Sequence, residues 1–286
     1  MKIGNLNGRA VVAVADGVLD INTASRGRLP TVLNDLFEKF DELRALVETH
    51  DPEHVVRIDV QQLGAASPGP RQVFGIGLNY RDHAVEAGFA IPEEPTVFTK
   101  YVSSFTGANE IIRLPSNNVD WEIEVVAVIG RTAQRVSEDA GWDYVAGLSV
   151  GQDLSERIVQ MGGPAPQFGL GKSFEGFSPV GPWLVTTDEL ATPDDLELGC
   201  SINGVEVQKG RTRDMVFPIP ELVSRLSHIV TLYPGDVIFT GTPAGIGNAR
   251  EPKWFLKHDD VLTSYVSGVG EMRHVLKARE LAGVQS

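Results

Sequence analysis

From Arg71 onward the chain is cut into short β-branched runs: QVFGIGLNY, TVFTKYVSSF, EIEVVAVIG, DYVAGLSVGQDL, PVGPWLVT, ELGCSINGVEVQ and DVIFTGTP. Gly, Pro and Asn punctuate them. Runs this short and this rich in Val, Ile, Phe and Thr read as strands. Only SERIVQMG near 155–162 and IPELVSRLSHIVTL near 219–232 carry a helical spacing of apolar residues. The pattern predicts an α+β chain, mostly β, folded as a mixed sandwich or barrel.

The first 70 residues differ. Residues 1–21 alternate apolar runs with Asn7-Gly8 and Asp16-Gly17, dipeptides that supply two-residue hairpin turns, so a small β-meander is expected. Leu33, Leu36, Phe37, Phe40, Leu43, Leu46 and Val47 then share one face at helical spacing behind Pro30, which predicts a helix over 30–49. The breaker-rich AASPGP places a boundary near residue 70. A small N-terminal α/β domain (1–70) and a larger domain (71–286) are expected.

A formal net charge of −13 argues against nucleic acid or an anionic membrane as partner, since both attract basic patches. It also makes any Lys or Arg near an anion site informative. The single cysteine, Cys200, leaves no intramolecular disulfide and no paired-cysteine zinc site, and fits a reducing compartment. No apolar run approaches the ~20 residues of a membrane-spanning helix. The short, turn-punctuated apolar patch at the N-terminus lacks the continuous core of a signal peptide, so a cytoplasmic protein is expected.

Three glycine-rich stretches mimic known motifs. GKS at 171–173 ends like a phosphate-binding loop, but the first glycine of that loop would fall on Pro166. GLSVG at 147–151 has the form of a nucleophile elbow around Ser149, yet Val150, Gly151 and Gln152 continue an extended run where the elbow needs a helix. GTPAGIG at 241–247 lacks the strand and helix of a dinucleotide site and reads as a turn shaping a site wall.

DWEIEVVAVIG, residues 120–130, is of another kind. Alternation along a strand puts Glu122 and Glu124 on one face and Trp121, Ile123, Val125 and Ala127 on the other. Their Cβ atoms would be about 7 Å apart, and like charges that close in an apolar strand are costly unless a cation lies between them. Mg²⁺ or Mn²⁺ would suit such oxygen ligands, with Asp153 at the end of the next run as a third. A solvated strand face is the alternative, which Val126 and Val128 on the same face do not favour. In NYRDHAVEAG, His83 and Glu86 are three residues apart. On a short helix they share a face, either as an exposed pair or as a dyad in which Glu orients the imidazole.

Taken together, GLNYRDHAVEAG, DWEIEVVAVIG, VGQDLSERIVQ, GKSFEGFSPVGP and GDVIFTGTPAGIG, in this order over about Gln72 to Gly247, resemble the fumarylacetoacetate hydrolase family. The resemblance implies a mixed β-roll catalytic domain, usually a homodimer, acting on small 2-oxo and 2,4-dioxo acids. It implies Mg²⁺ or Mn²⁺ on Glu122, Glu124 and Asp153, and a lid dyad of His83 and Glu86. Arg157, Gln160 and Thr242 would bind substrate, and Lys172 would act in catalysis. Lys100, in FTKYVSSF, is either a further cation near the substrate or a surface lysine. The implied reaction is hydrolysis of the C3–C4 bond of a 2,4-dioxo acid, with decarboxylation or isomerisation as the alternatives for the same site.

Overall fold

The computed structural model describes residues 1–279. Its main element is an eleven-stranded sheet. One edge is Val55–Val56, followed by Gly17–Asp20, Arg9–Val14 and Lys2–Leu6, the meander expected from the Asn7-Gly8 and Asp16-Gly17 turns. Asn7 and Gly8 take φ of 52° and 82°, the left-handed values that such a hairpin requires. Lys2–Leu6 pairs with Ser178–Val185, and the sheet continues through Val145–Gln152, Ile123–Ile129, Val237–Phe239, Val73–Gly77 and Thr96–Thr99. The path runs from edge to edge without closing, so of the two arrangements expected the barrel is replaced by the sandwich.

The second layer is a five-stranded sheet ordered Val205–Arg211, Glu197–Ile202, Val261–Val266, Gly270–Ala278, Ile111–Leu114. Strand Ile123–Ile129 lies between two cores, and its alternation sorts them. Trp121, Ile123, Val125, Ala127 and Ile129 pack with Leu198, Cys200, Leu262 and Met272 of the second sheet. Val126 and Val128 pack with Val12, Leu19, Leu36 and Leu43 of the N-terminal segment. A strand apolar on both faces is the central strand of a layered fold. The glutamates occupy its one polar end.

The helices are shorter than periodicity predicts. Residues 30–49 form two 3₁₀ turns, Leu33–Asp35 and Phe37–Lys39, before the helix Phe40–Glu48. Leu33, Leu36 and Phe37 are all buried here, and Asn34 Nδ2 donates to Gly69 O at 2.6 Å, so tertiary docking overrides helical propensity. Of 155–162 only Arg157–Gln160 is helical, because Ser155 and Glu156 pair as a strand with Asp120 and Val119. The helix at 219 ends at Ile229, since Val230 turns extended and Leu232 bridges to Ala133. No helix among the described residues is long and apolar enough to cross a membrane.

Candidate active site

Short elements bring His83, Glu86, Glu122, Arg157, Gln160, Lys172 and Thr242 to the lining of one cavity of ≈ 640 Å³, with Glu124 and Asp153 beside Glu122. The first is the end of the carboxylate strand. Glu122 accepts a place beside Gln152, whose Oε1 takes the Glu122 N–H at 2.9 Å, and Asp153 N donates to Glu122 O at 2.9 Å. Antiparallel pairing of Ile123 with Gln152 thereby sets Asp153 beside the glutamates. One oxygen each of Glu122, Glu124 and Asp153 lie within 4.8 Å of one another, and all three side chains are buried. Three hard, converging oxygens are a donor set that fits a divalent cation.

The charges around them are unequal. Lys172 Nζ bridges Glu122 Oε2 at 2.7 Å and Asp153 Oδ2 at 2.6 Å. Arg157 reaches Glu122 Oε1 at 2.7 Å and Asp120 Oδ2 at 2.6 Å, and donates to Gln160 Oε1 at 2.9 Å. Burial alone would raise the Glu122 carboxyl, but Lys172 and Arg157 outweigh it and hold it at about 2. Glu124 has only the Gly241 N–H, at 2.8 Å, and burial together with the charges of Asp153 and Glu122 pushes it well up. Positive charge is short at Glu124, on the side where a cation would sit.

Lys100 is not a surface lysine. It is fully buried, ion-paired to Asp153, and donates to Phe177 O at 3.2 Å. Burial lowers its pKa despite that partner. For Lys172 the same burial is overcome by Asp153 and Glu122, and its pKa is raised.

The dyad sits on the helix Arg81–Glu86. His83 Nδ1 lies 3.5 Å from Glu86 Oε2, outside hydrogen-bond geometry, and has no hydrogen-bond partner among the described residues. Glu86 accepts the Gly245 N–H at 3.0 Å on each oxygen. Burial would raise Glu86, but His83 and that N–H prevail and lower it. The pair is therefore a partly buried dyad facing the cavity.

Thr242 lines the cavity, but its hydroxyl donates to Ile123 O at 2.8 Å and accepts from Gln208 Nε2 at 2.9 Å. Its single hydroxyl hydrogen is thus held by the carboxylate strand. Ser149 lies inside the buried strand Val145–Gln152 with no helix after it, so it forms no nucleophile elbow. Lys172 of the false phosphate loop faces the carboxylates, and the GTPAGIG turn does form a site wall.

Two site residues escaped sequence reasoning. Asp120 is fully buried, binds Arg157, and accepts the N–H groups of Gly247 at 2.7 Å and Asn248 at 2.9 Å. Gln208 holds Ile123 N–H at 3.0 Å and Pro243 O at 2.7 Å. For Asp120 a signal existed in DWEIE, an acid placed two positions before Glu122. For Gln208, in an ordinary polar stretch, none did.

The chain is similar in sequence and fold to known proteins. The fumarylacetoacetate (FAA) hydrolase C-terminal family matches residues 72–277. A crystal structure from Mycobacterium smegmatis is 50% identical, covering 98% of this chain and 100% of its own, with a TM-score of 0.93. A 2,4-didehydro-3-deoxy-L-rhamnonate hydrolase from Sphingomonas sp. (strain SKA58) is 42% identical over 213 residues, 73% of this chain and 74% of that protein. Maleylpyruvate hydrolase from Sphingobium sp. SYK-6, solved with manganese(II) and pyruvate, is 27% identical at a TM-score of 0.81 and covers 98% of this chain and 100% of its own. The chain belongs to the fumarylacetoacetate hydrolase family, whose members are hydrolases and isomerases.

Proposed function

We propose that this protein is a cytoplasmic, homodimeric, divalent-metal-dependent hydrolase that cleaves the C3–C4 bond of a 2,4-dioxo acid of the acylpyruvate type. The observation that carries this is one cavity lined by the His83–Glu86 dyad, Arg157, Lys172 and Glu122, the last converging with Glu124 and Asp153. Mg²⁺ or Mn²⁺ held by the three carboxylates would polarise the 2-oxo acid end of the substrate when bound. Arg157 and Lys172 orient the substrate carboxylate and offset its charge. Gln160 and Thr242 line the same cavity, and Gln160 completes the substrate contacts while Thr242, held by the carboxylate strand, shapes the wall.

His83, oriented by Glu86, takes a proton from water as its oxygen attacks C4. The C3–C4 bond then breaks with its electron pair going to C3, so a carboxylic acid leaves and a pyruvate enolate remains. Lys172 stands where that negative charge develops. Protonation of C3 yields pyruvate.

The test uses protein stripped by chelator and reloaded with Mn²⁺ or Mg²⁺. Glu124→Gln is the informative variant, because Glu124 has no cationic partner and its loss leaves the Arg157 and Lys172 pairs standing. Metal binding and pyruvate release should both disappear; full activity in stripped protein would refute the proposal. Solved relatives include isomerases. Conservation of substrate mass would move the reaction to isomerisation, and CO₂ with pyruvate from oxaloacetate to decarboxylation.

A further inference from the structure

The cavity has two ends of different chemistry. The inner end is the carboxylate cluster with Lys172 and Arg157. The outer wall is apolar, built from Phe98, Phe168, Phe89, Met161 and Ile246. Phe98 and Phe168 meet edge to face with centroids 5.9 Å apart, and Lys172 Nζ lies 5.0 Å from the Phe98 centroid. The aromatic wall therefore begins where the cationic cluster ends. It is also fixed in place: Phe98 packs on Gly75, where any Cβ would fall 2.3 Å from the ring.

Charge separates the ends further. Among the described residues lining the cavity, the fixed cations are Arg157 and Lys172, and both are already paired, to Asp120 and Glu122 and to Glu122 and Asp153. Lys100, behind them, is paired to Asp153. The cations at the inner end are thus committed to the carboxylate cluster, and Glu124 has none paired to it there. One substrate carboxylate has its place at the inner end, beside Arg157 and Lys172. A second, farther out, would meet aromatic rings with no cation to replace its lost water, a costly burial.

Resting on the hydrolase reading above, we propose that the site takes 2,4-dioxo acids whose acyl substituent is uncharged and mainly apolar, and selects against dioates. Lys253, which donates to Asn248 Oδ1 at 3.0 Å from the exposed side, and Arg250, which donates to Gly245 O at 3.1 Å, are the cations on which a dioate would have to call.

The first measurement is kcat/KM of the Mn²⁺-loaded protein for benzoylpyruvate and fumarylpyruvate. Benzoylpyruvate should be favoured by about tenfold or more, about 1.4 kcal/mol. Equal rates, or a preference for fumarylpyruvate that Lys253→Ala removes, would overturn the proposal. Calorimetric binding of 2-oxohexanoate against 2-oxoadipate reads the same pocket without chemistry, and the uncharged tail should bind about tenfold tighter. If no acylpyruvate is cleaved yet that binding preference holds, the hydrolase reading fails and the pocket assignment stands. If pyruvate is released but dioates bind better, the reverse follows. Phe168→Arg should shift the benzoyl-to-fumaryl ratio several-fold toward the dioate; a folded variant with an unchanged ratio would show that this wall does not meet the substituent.

Discussion

Arg157 shows why residue type matters at this site. Its guanidinium fork spans Asp120 and Glu122 at 2.6 and 2.7 Å while also holding Gln160. A lysine lacks the planar fork with several fixed N–H donors that holds Asp120, Glu122 and Gln160 together. Arg157→Lys is therefore expected to lower kcat/KM by about 10- to 100-fold, the range typical for groups that orient metal ligands, while far-UV dichroism stays unchanged. His274 sets a different kind of limit. It is fully buried, with Nε2 2.9 Å from Gly107 O and no partner for Nδ1 among the described residues, and burial lowers its pKa to about 4. Below the ordinary histidine range the unfolded chain binds this proton and the folded chain does not, so stability falls with pH from about 6.5 to about 4. The loss is on the order of 3 kcal/mol. Chemical denaturation of wild type and His274→Gln across that interval should show a flatter profile in the variant.

The loop after Val237–Phe239 is the element that couples the parts of the site. Its successive N–H groups hold three acids: Gly241 binds Glu124, Gly245 binds Glu86, and Gly247 binds Asp120. One turn thus fixes a carboxylate of the Glu122–Glu124–Asp153 cluster, the Glu86 of the dyad and the anchor of Arg157. Gly241 has φ of +101°, and a Cβ there would fall 2.7 Å from Asn79 Cβ. Gly241→Ala should shift the loop away from Glu124 and weaken Mn²⁺ binding by about tenfold or more in a calorimetric titration. Unchanged affinity would mean that Glu124 is held by the strand alone.

At the scale of the molecule, the N-terminal 70 residues are built onto the catalytic part rather than beside it. Their strands continue its sheet through the Lys2–Val185 and Ile3–Leu184 pairs, and Leu43 packs in the same core as Val126 and Val128 of the carboxylate strand. We propose that the two parts unfold together. Leu43→Ala, at a fully buried site, should cost about 2–5 kcal/mol. Calorimetry should show one transition moving as a whole. Two transitions, with only the smaller displaced, would show an independently folding N-terminal domain.

What the sequence determined by itself was local. Alternation of faces placed Glu122 and Glu124 together and opposite Ile123 and Val125, the three-residue interval put His83 and Glu86 on one helix face, and Asn-Gly fixed the first hairpin. Each follows from backbone geometry over a few residues. Tertiary structure alone decided the rest. Asp153 joins the glutamates through a strand register, Lys100 is drawn into burial by Asp153 more than 50 positions away, and Asp120 and Gln208 become anchors through contacts across the fold. The first half of the helix expected over 30–49 became two 3₁₀ turns because docking its apolar side chains on the sheet outweighed propensity, while Phe40–Glu48 stayed helical. Periodicity records which way a side chain points along its own element; which charges it will meet there depends on packing between elements remote in sequence.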